Sequence, residues 1–184
     1  TVKGAAIVDP ASQDKPLQLF HPLSGHRFAG HAAVRPDGTM LATSEIDAET
    51  GDGIVVLREA PTGAPRAVYA VGIEPHDLLF SADGARLVVA VGGIARAADV
   101  KGPAINIGSI ESAILELDPR SGAVLKQHRL FRDMRTLSLR HLALAPDGET
   151  VLFGMQDQDR SRLRPLMGRL LVGGKLDLLP LPDG

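Results

Sequence analysis

The sequence predicts an all-β fold, a β-propeller of four-stranded antiparallel blades, on three observations. Apolar runs are only four to seven residues long and lie among 20 Gly and 13 Pro in 184 residues, a pattern of short strands joined by tight turns. One local motif occurs three times: His31-Ala-Ala-Val-Arg-Pro-Asp-Gly38, His76-Asp-Leu-Leu-Phe-Ser-Ala-Asp-Gly84 and His141-Leu-Ala-Leu-Ala-Pro-Asp-Gly148. The repeat interval suits a blade. Asp37 to Asp83 is 46 residues and Asp83 to Asp147 is 64, against roughly 40–50 for a four-stranded blade.

Each motif is a short apolar strand closed by a hairpin. Pro presets φ, Asp tolerates the next position, and Gly takes a positive φ without steric cost. The longer interval carries an excess of 18 residues, which residues 92–109 supply; that stretch has no sustained alternation and reads as an inserted loop.

With strands lettered A to D from channel to rim, the elements follow in order. Residues 1–23 give strands C and D of a preceding blade, at Gly4–Asp9 and Pro16–Phe20. Their turn Asp9-Pro-Ala-Ser-Gln-Asp14 resembles the later Asp118-Pro-Arg-Ser-Gly-Ala123. Residues 24–72 form a blade with strands His31–Pro36, Thr39–Glu45, Gly53–Glu59 and Arg66–Val71. Residues 73–130 form a blade with the inserted loop 92–109 and strands Asp77–Ser81, Arg86–Val91, Ala113–Asp118 and Val124–Leu130. Residues 131–184 form a blade with strands His141–Ala145, Thr150–Met155, Leu166–Val172 and Leu176–Leu181. That is about three and a half blades. A propeller closes with at least four, and an open end leaves unpaired strand edges, so the chain is expected to be a piece of a longer propeller. A β-sandwich also has regularly spaced short strands; the repeated His…Asp-Gly register favours the propeller.

Composition narrows the partners. A net charge of −2 and a pI near 6.3 give no basic stripe for nucleic acid. The cluster Arg160, Arg162, Arg164 and Arg169 is offset by Asp157 and Asp159 and reads as a solvated loop. There is no cysteine, so disulfides, thiol nucleophiles and thiolate metal sites are excluded. No apolar run approaches the roughly 18 residues of a membrane span. Aromatics are 3%, too few for stacking on sugars or bases. The chain opens at Thr1 without Met, and a trimmed start is expected. Oligomeric state is not readable.

Register sorts the loops. A–B and C–D turns fall on one face, D–A and B–C connections on the other. The second face collects the long segments 45–53, 92–109 and 156–165, together with His26, His31, His76, Arg140 and His141, and is the expected binding surface for a small ligand or a protein partner. The candidate binding residues are His31, Glu45, Asp47, His76, Arg140 and His141. Three histidines from adjacent blades, with Glu45 or Asp47 beside them, suit zinc or iron. No local His spacing supports a metal, and His76 is offset by one residue from the other two, which alternation would aim elsewhere. The competing reading is that each His bonds backbone or a carboxylate at a blade seam. No resident cofactor is identified.

Other chemistries find less support. The acidic loop Glu45-Ile-Asp-Ala-Glu-Thr-Gly-Asp-Gly53 lacks EF-hand order and reads as a solvated turn. Ser44, Ser109, Ser112 and Ser138 sit in no nucleophile elbow, and Gly92-Gly93 is no phosphate loop. Arg140-His141 suits either an anion at the channel mouth or a carboxylate bridge between blades.

The segments Gly30-His-Ala-Ala-Val-Arg-Pro-Asp-Gly-Thr39, Ser44 to Gly53, Gly72-Ile-Glu-Pro-His-Asp-Leu78, Val91-Gly-Gly-Ile94 and Ser138-Leu-Arg-His-Leu142 resemble, in order, an uncharacterised bacterial family, domain of unknown function fifteen-thirteen. Ile46, Ala48 and Ala104-Ile-Asn-Ile-Gly-Ser109 depart from its commoner pattern. The resemblance implies a seven-bladed periplasmic propeller, often exported by a twin-arginine signal and encoded beside imelysin-type iron-uptake proteins. It implies no reaction. Two functions are therefore expected: a periplasmic binding propeller linked to iron acquisition, or a lactonase-like metal-dependent hydrolase with its His and acidic groups around a central ion.

Overall fold

The computed structural model describes residues 4–8, 18–96, 102–130, 134–159 and 166–179. Fourteen strands are described: β1 (Ala5–Ile7), β2 (Gln18–Phe20), β3 (His26–Val34), β4 (Met40–Asp47), β5 (Asp52–Glu59), β6 (Pro65–Ile73), β7 (Pro75–Phe80), β8 (Leu87–Val91), β9 (Ala113–Leu117), β10 (Val124–Arg129), β11 (Leu137–Leu144), β12 (Thr150–Asp157), β13 (Leu166–Leu171) and β14 (Leu176–Leu179). They form three four-stranded antiparallel sheets in sequence order, β3–β6, β7–β10 and β11–β14, after the pair β1–β2. This is the all-β blade architecture that the repeat predicts. The turn at residues 9–14, the ends of the strands expected to reach Asp9, Pro16 and Leu181, and Arg160, Arg162 and Arg164 lie outside the described residues.

The repeated Asp-Gly turns behave alike because their chemistry is alike. Gly38, Gly84 and Gly148 have φ of 72°, 66° and 73°, which glycine adopts freely. The preceding aspartates accept the backbone N–H two residues on, from Thr39, Ala85 and Glu149.

The blades stack through period-two side chains. In β8, Leu87, Val89 and Val91 face the first blade and pack with Val55, Leu57 and Val71. Val88 and Ala90 face the third blade and pack with Leu139, Val151 and Phe153. Every residue of β8 and β9 is buried, as expected for strands apolar on both faces. A polar residue in such a seam needs partners. Glu116, fully buried, accepts from Arg86, His128 and the Gly173 backbone at 3.0, 2.9 and 2.8 Å, tying the second and third blades together.

Candidate functional site

The innermost strands β3, β7 and β11 lie side by side, and each is broken by a β-bulge. Register shifts occur between Phe28 and Ala32, between Pro75 and Asp77, and between Leu139 and Leu142. His31, His76 and His141 sit in these three interruptions. A bulge re-aims side chains, so strict alternation does not apply there. The one-residue offset of His76 therefore does not turn it away. The three rings meet with centroids 5.1–5.2 Å apart, and one ligating atom from each lies within 4.8 Å of the others. Among the described residues this is the group of donors that converges enough to hold a metal ion.

A carboxylate and a guanidinium flank the imidazoles. Asp77 lies 3.3 Å from His31 Nδ1 through one oxygen and 3.9 Å from His141 Nδ1 through the other. Backbone N–H groups of Leu78 and Leu142 donate to the same carboxylate, both at 2.8 Å. Arg140 Nη1 reaches His76 Nδ1 and Glu74 Oε1, both at 2.9 Å. Burial, then the charge of Arg140 and the neighbouring His31 and His141, pushes the His76 ring down to about 3, so it is neutral at physiological pH. The Nε of Arg140 is buried without a hydrogen-bond partner.

Glu74 organises the entrance. It is the single residue between β6 and β7, with φ of 57°, a strained left-handed conformation for a non-glycine residue. Its second oxygen accepts from Ile94 N at 3.2 Å, and Arg96 stands 4.0 Å from its first. Asn106 fastens the described part of the inserted loop, donating to Gly93 O and accepting from Ala95 N. A cleft of about 630 Å³ opens beside the histidines, walled by His76, Arg140, Glu74, Phe28, Asp47 and Ile105 among others.

The candidate residues thus divide. His31, His76, Arg140 and His141 converge. Asp47 lines the cleft, but its Oδ1 is engaged by Glu49 N and Thr50 N, both at 2.8 Å, which holds its carboxyl below the usual range. Glu45 is a correction. It is fully buried and pairs with buried Arg58 at 2.5 Å, while accepting from Thr43 and Leu23 N. Its carboxylate points into the seam toward the preceding blade. In the acidic loop, Asp47 and Asp52 bond within their own turn and Glu45 is taken by Arg58, and among the described residues the loop does not form a group that could hold a metal ion. The serines are structural too: Ser44 donates to His31 O, and Ser112 and Ser138 to Gly92 O. Asp77 and Glu74 escaped the sequence reading. The only signal was their place on either side of His76 in Gly72-Ile-Glu-Pro-His-Asp-Leu78.

No curated protein matches the sequence. Among solved structures, the chain is similar to Kuenenia stuttgartiensis hydrazine synthase (17% identity, TM-score 0.53, covering 83% of this chain and 54% of that one). It is similar to the β-propeller domain of Myceliophteria thermophila Cps50 (Swd1) (15%, 0.52, 81% and 36%) and to the Dos1 propeller (11%, 0.54, 89% and 38%). The chain therefore spans about half or less of these structures, and the likeness shows the fold alone. The motifs that frame the histidine cluster belong to a match over residues 3–184 with the family described as "Protein of unknown function (DUF1513)", and the chain belongs to that family.

Proposed function

We propose that this chain is part of a periplasmic β-propeller that binds a small ligand at the channel mouth of its long-loop face, in the setting of iron acquisition. The convergence of His31, His76 and His141 from three blades carries the reading. Three imidazoles, one of them with its side chain 69% exposed, contribute little to stability by burial. Their crowding helps depress His76, a cost that a packing role does not offset. The cleft beside them is bounded by the long loops, as expected of a binding site. The periplasm and iron rest on the resemblance of the motifs.

The test is the thermal midpoint of the full-length protein with Zn²⁺, inorganic phosphate or succinate added separately. At least one should raise the midpoint by mass action, and His141→Ala should abolish that rise. No response to any probe, or an undiminished response in His141→Ala, would remove the channel mouth as the ligand seat. A lactonase-like hydrolase would use the same seat and add turnover. Hydrolysis of a lactone probe that is lost in His141→Ala would replace the binding reading by the enzymatic one.

A further inference from the structure

We infer that His31, His76 and His141 hold a divalent transition-metal ion, and that Arg140 is the cation that occupies His76 until the ion arrives. The inference rests on the channel mouth being a ligand seat and names the ligand that the seat takes.

The donor set selects the ion. Three imidazole donors suit zinc, copper, nickel or ferrous iron and do not suit calcium or magnesium, which take oxygen. Metal–nitrogen bonds of about 2.0–2.1 Å in tetrahedral geometry place the nitrogens about 3.3 Å apart. The three ligating atoms lie within 4.8 Å of one another, so binding requires them to close by at most about 1.5 Å. Three protein ligands leave at least one position open, as in a site that exchanges its occupant. His141 is exposed and provides the way in.

Asp77 prepares one of the ligands and faces a second. A carboxylate attracts a protonated nitrogen, so Asp77 Oδ1 at 3.3 Å from His31 Nδ1 favours the His31 tautomer with Nε2 unprotonated, while Oδ2 stands 3.9 Å from His141 Nδ1, beyond hydrogen-bond reach. Such carboxylate–imidazole pairs orient metal-binding histidines. The bonds from Leu78 N and Leu142 N fix Asp77 in turn.

His76 is prepared differently. Arginine only donates, so the bond from Arg140 Nη1 to His76 Nδ1 makes that nitrogen the acceptor and puts the ring proton on Nε2. Neither nitrogen is then open to an ion. Capture through Nδ1 displaces Arg140 directly. Capture through Nε2 first moves the proton to Nδ1, which Arg140 must vacate. Either route breaks one arginine–histidine bond, forms one metal–histidine bond and releases no proton. Arg140 keeps Glu74 as a partner, and its buried Nε has no bond to lose. Glu74 also holds Ile94 N, so the displaced guanidinium acts on the start of the inserted loop.

The experiment uses full-length protein stripped with chelator. Zn²⁺ binding is measured by titration calorimetry, and the ligand field by the visible spectrum of the Co²⁺ form. Wild type should take up one ion per chain with the spectrum of an imidazole-rich site, and His76→Ala and His141→Ala should lose it. Arg140→Gln should bind about tenfold or more tightly, because a charge-assisted bond no longer competes. In the stripped wild type, nitrogen NMR should find the His76 proton on Nε2. No stoichiometric uptake in wild type and Arg140→Gln overturns the metal site; a response to phosphate or succinate that needs His141 would still leave the ligand seat standing. Zn²⁺ uptake that survives His141→Ala places the ion elsewhere and also overturns it. Equal or weaker affinity in Arg140→Gln overturns the role of Arg140, as does a His76 proton on Nδ1. Metal-free thermal midpoints check folding. Should His76→Ala unfold, exposed His141 decides the site.

Discussion

Glu45 is fully buried and His76 half-buried, with opposite consequences for charge. Glu45 remains with a guanidinium: Arg58 also donates to Gly63 O at 2.8 Å and lies over the rings of Phe20 and Phe28. Removing one partner of a buried pair strands the other, at about 3–5 kcal/mol. Glu45→Ala is therefore expected to lower the urea midpoint steeply while ligand binding per folded molecule stays unchanged. Lost binding with stability intact would return Glu45 to the site. His76, by contrast, is held neutral. Its folded value of about 3 lies below the ordinary 6.5, so the unfolded chain binds the proton first. Its contribution is complete above pH 6.5 and is lost as pH falls from there toward about 3. In metal-free protein, the thermal midpoint of His76→Gln should fall less steeply than wild type across that window. Parallel profiles would show that His76 is not held neutral. Neither environment is legible in the residue pattern. Glu45 adjoins a long loop, yet alternation along β4 places it in a seam, and its partner stands 13 residues away on β5.

The strands were legible because their limits are written in local chemistry. Pro-Asp-Gly and Ala-Asp-Gly end β3, β7 and β11, and period-two apolar runs fill the rest, so expected and observed strands differ by a few residues at most on the B, C and D positions. The A strands of the first and third blades instead begin earlier, at His26 and Leu137. The cause is the bulge, which lets the strand resume pairing beyond an interruption that no residue pattern announces. The same bulges hid the convergence of the histidines, since a parity argument holds only along unbroken pleats. The turns carry their own prediction. Asp37, Asp83 and Asp147 accept hydrogen bonds from Thr39, from Ser81 and Ala85, and from Thr150 and Glu149, and these bonds hold their carboxyls below the ordinary value. Carboxyls lowered in the folded state add stability above the unfolded value, which is lost as pH falls below about 4. The triple variant Asp37→Asn, Asp83→Asn, Asp147→Asn keeps an acceptor at each turn and removes the titration. Its urea midpoint should decline less than wild type between pH 5 and 3 (about the range where carboxylates protonate); an equal decline would place the acid sensitivity elsewhere.

At the scale of the molecule, stability is shared between neighbours, as in other stacked repeats. The two apolar clusters meet on opposite faces of the middle blade: Leu87, Val89, Leu115 and Leu117 belong to one, Val88, Ala90 and Ile114 to the other. Strands β8 and β9 are thus covered on both sides, whereas β10 leaves Val124 and Leu125 about half exposed. Opening β8 or β9 requires both seams to part, and opening β10 does not. Native-state hydrogen exchange should therefore find the slowest amides in Leu87–Val91 and Ala113–Leu117, with β10 opening at lower free energy. Phe153→Ala, which empties a buried position in the seam to the third blade, should cost about 3–5 kcal/mol and speed exchange in β8 and β9 together with β12. If β12 alone responded, the blades would be independent units, and a site drawing one histidine from each of three blades would have no rigid frame to hold its rings together. Transmission of the change through the middle blade is what a three-blade ligand seat requires of the fold.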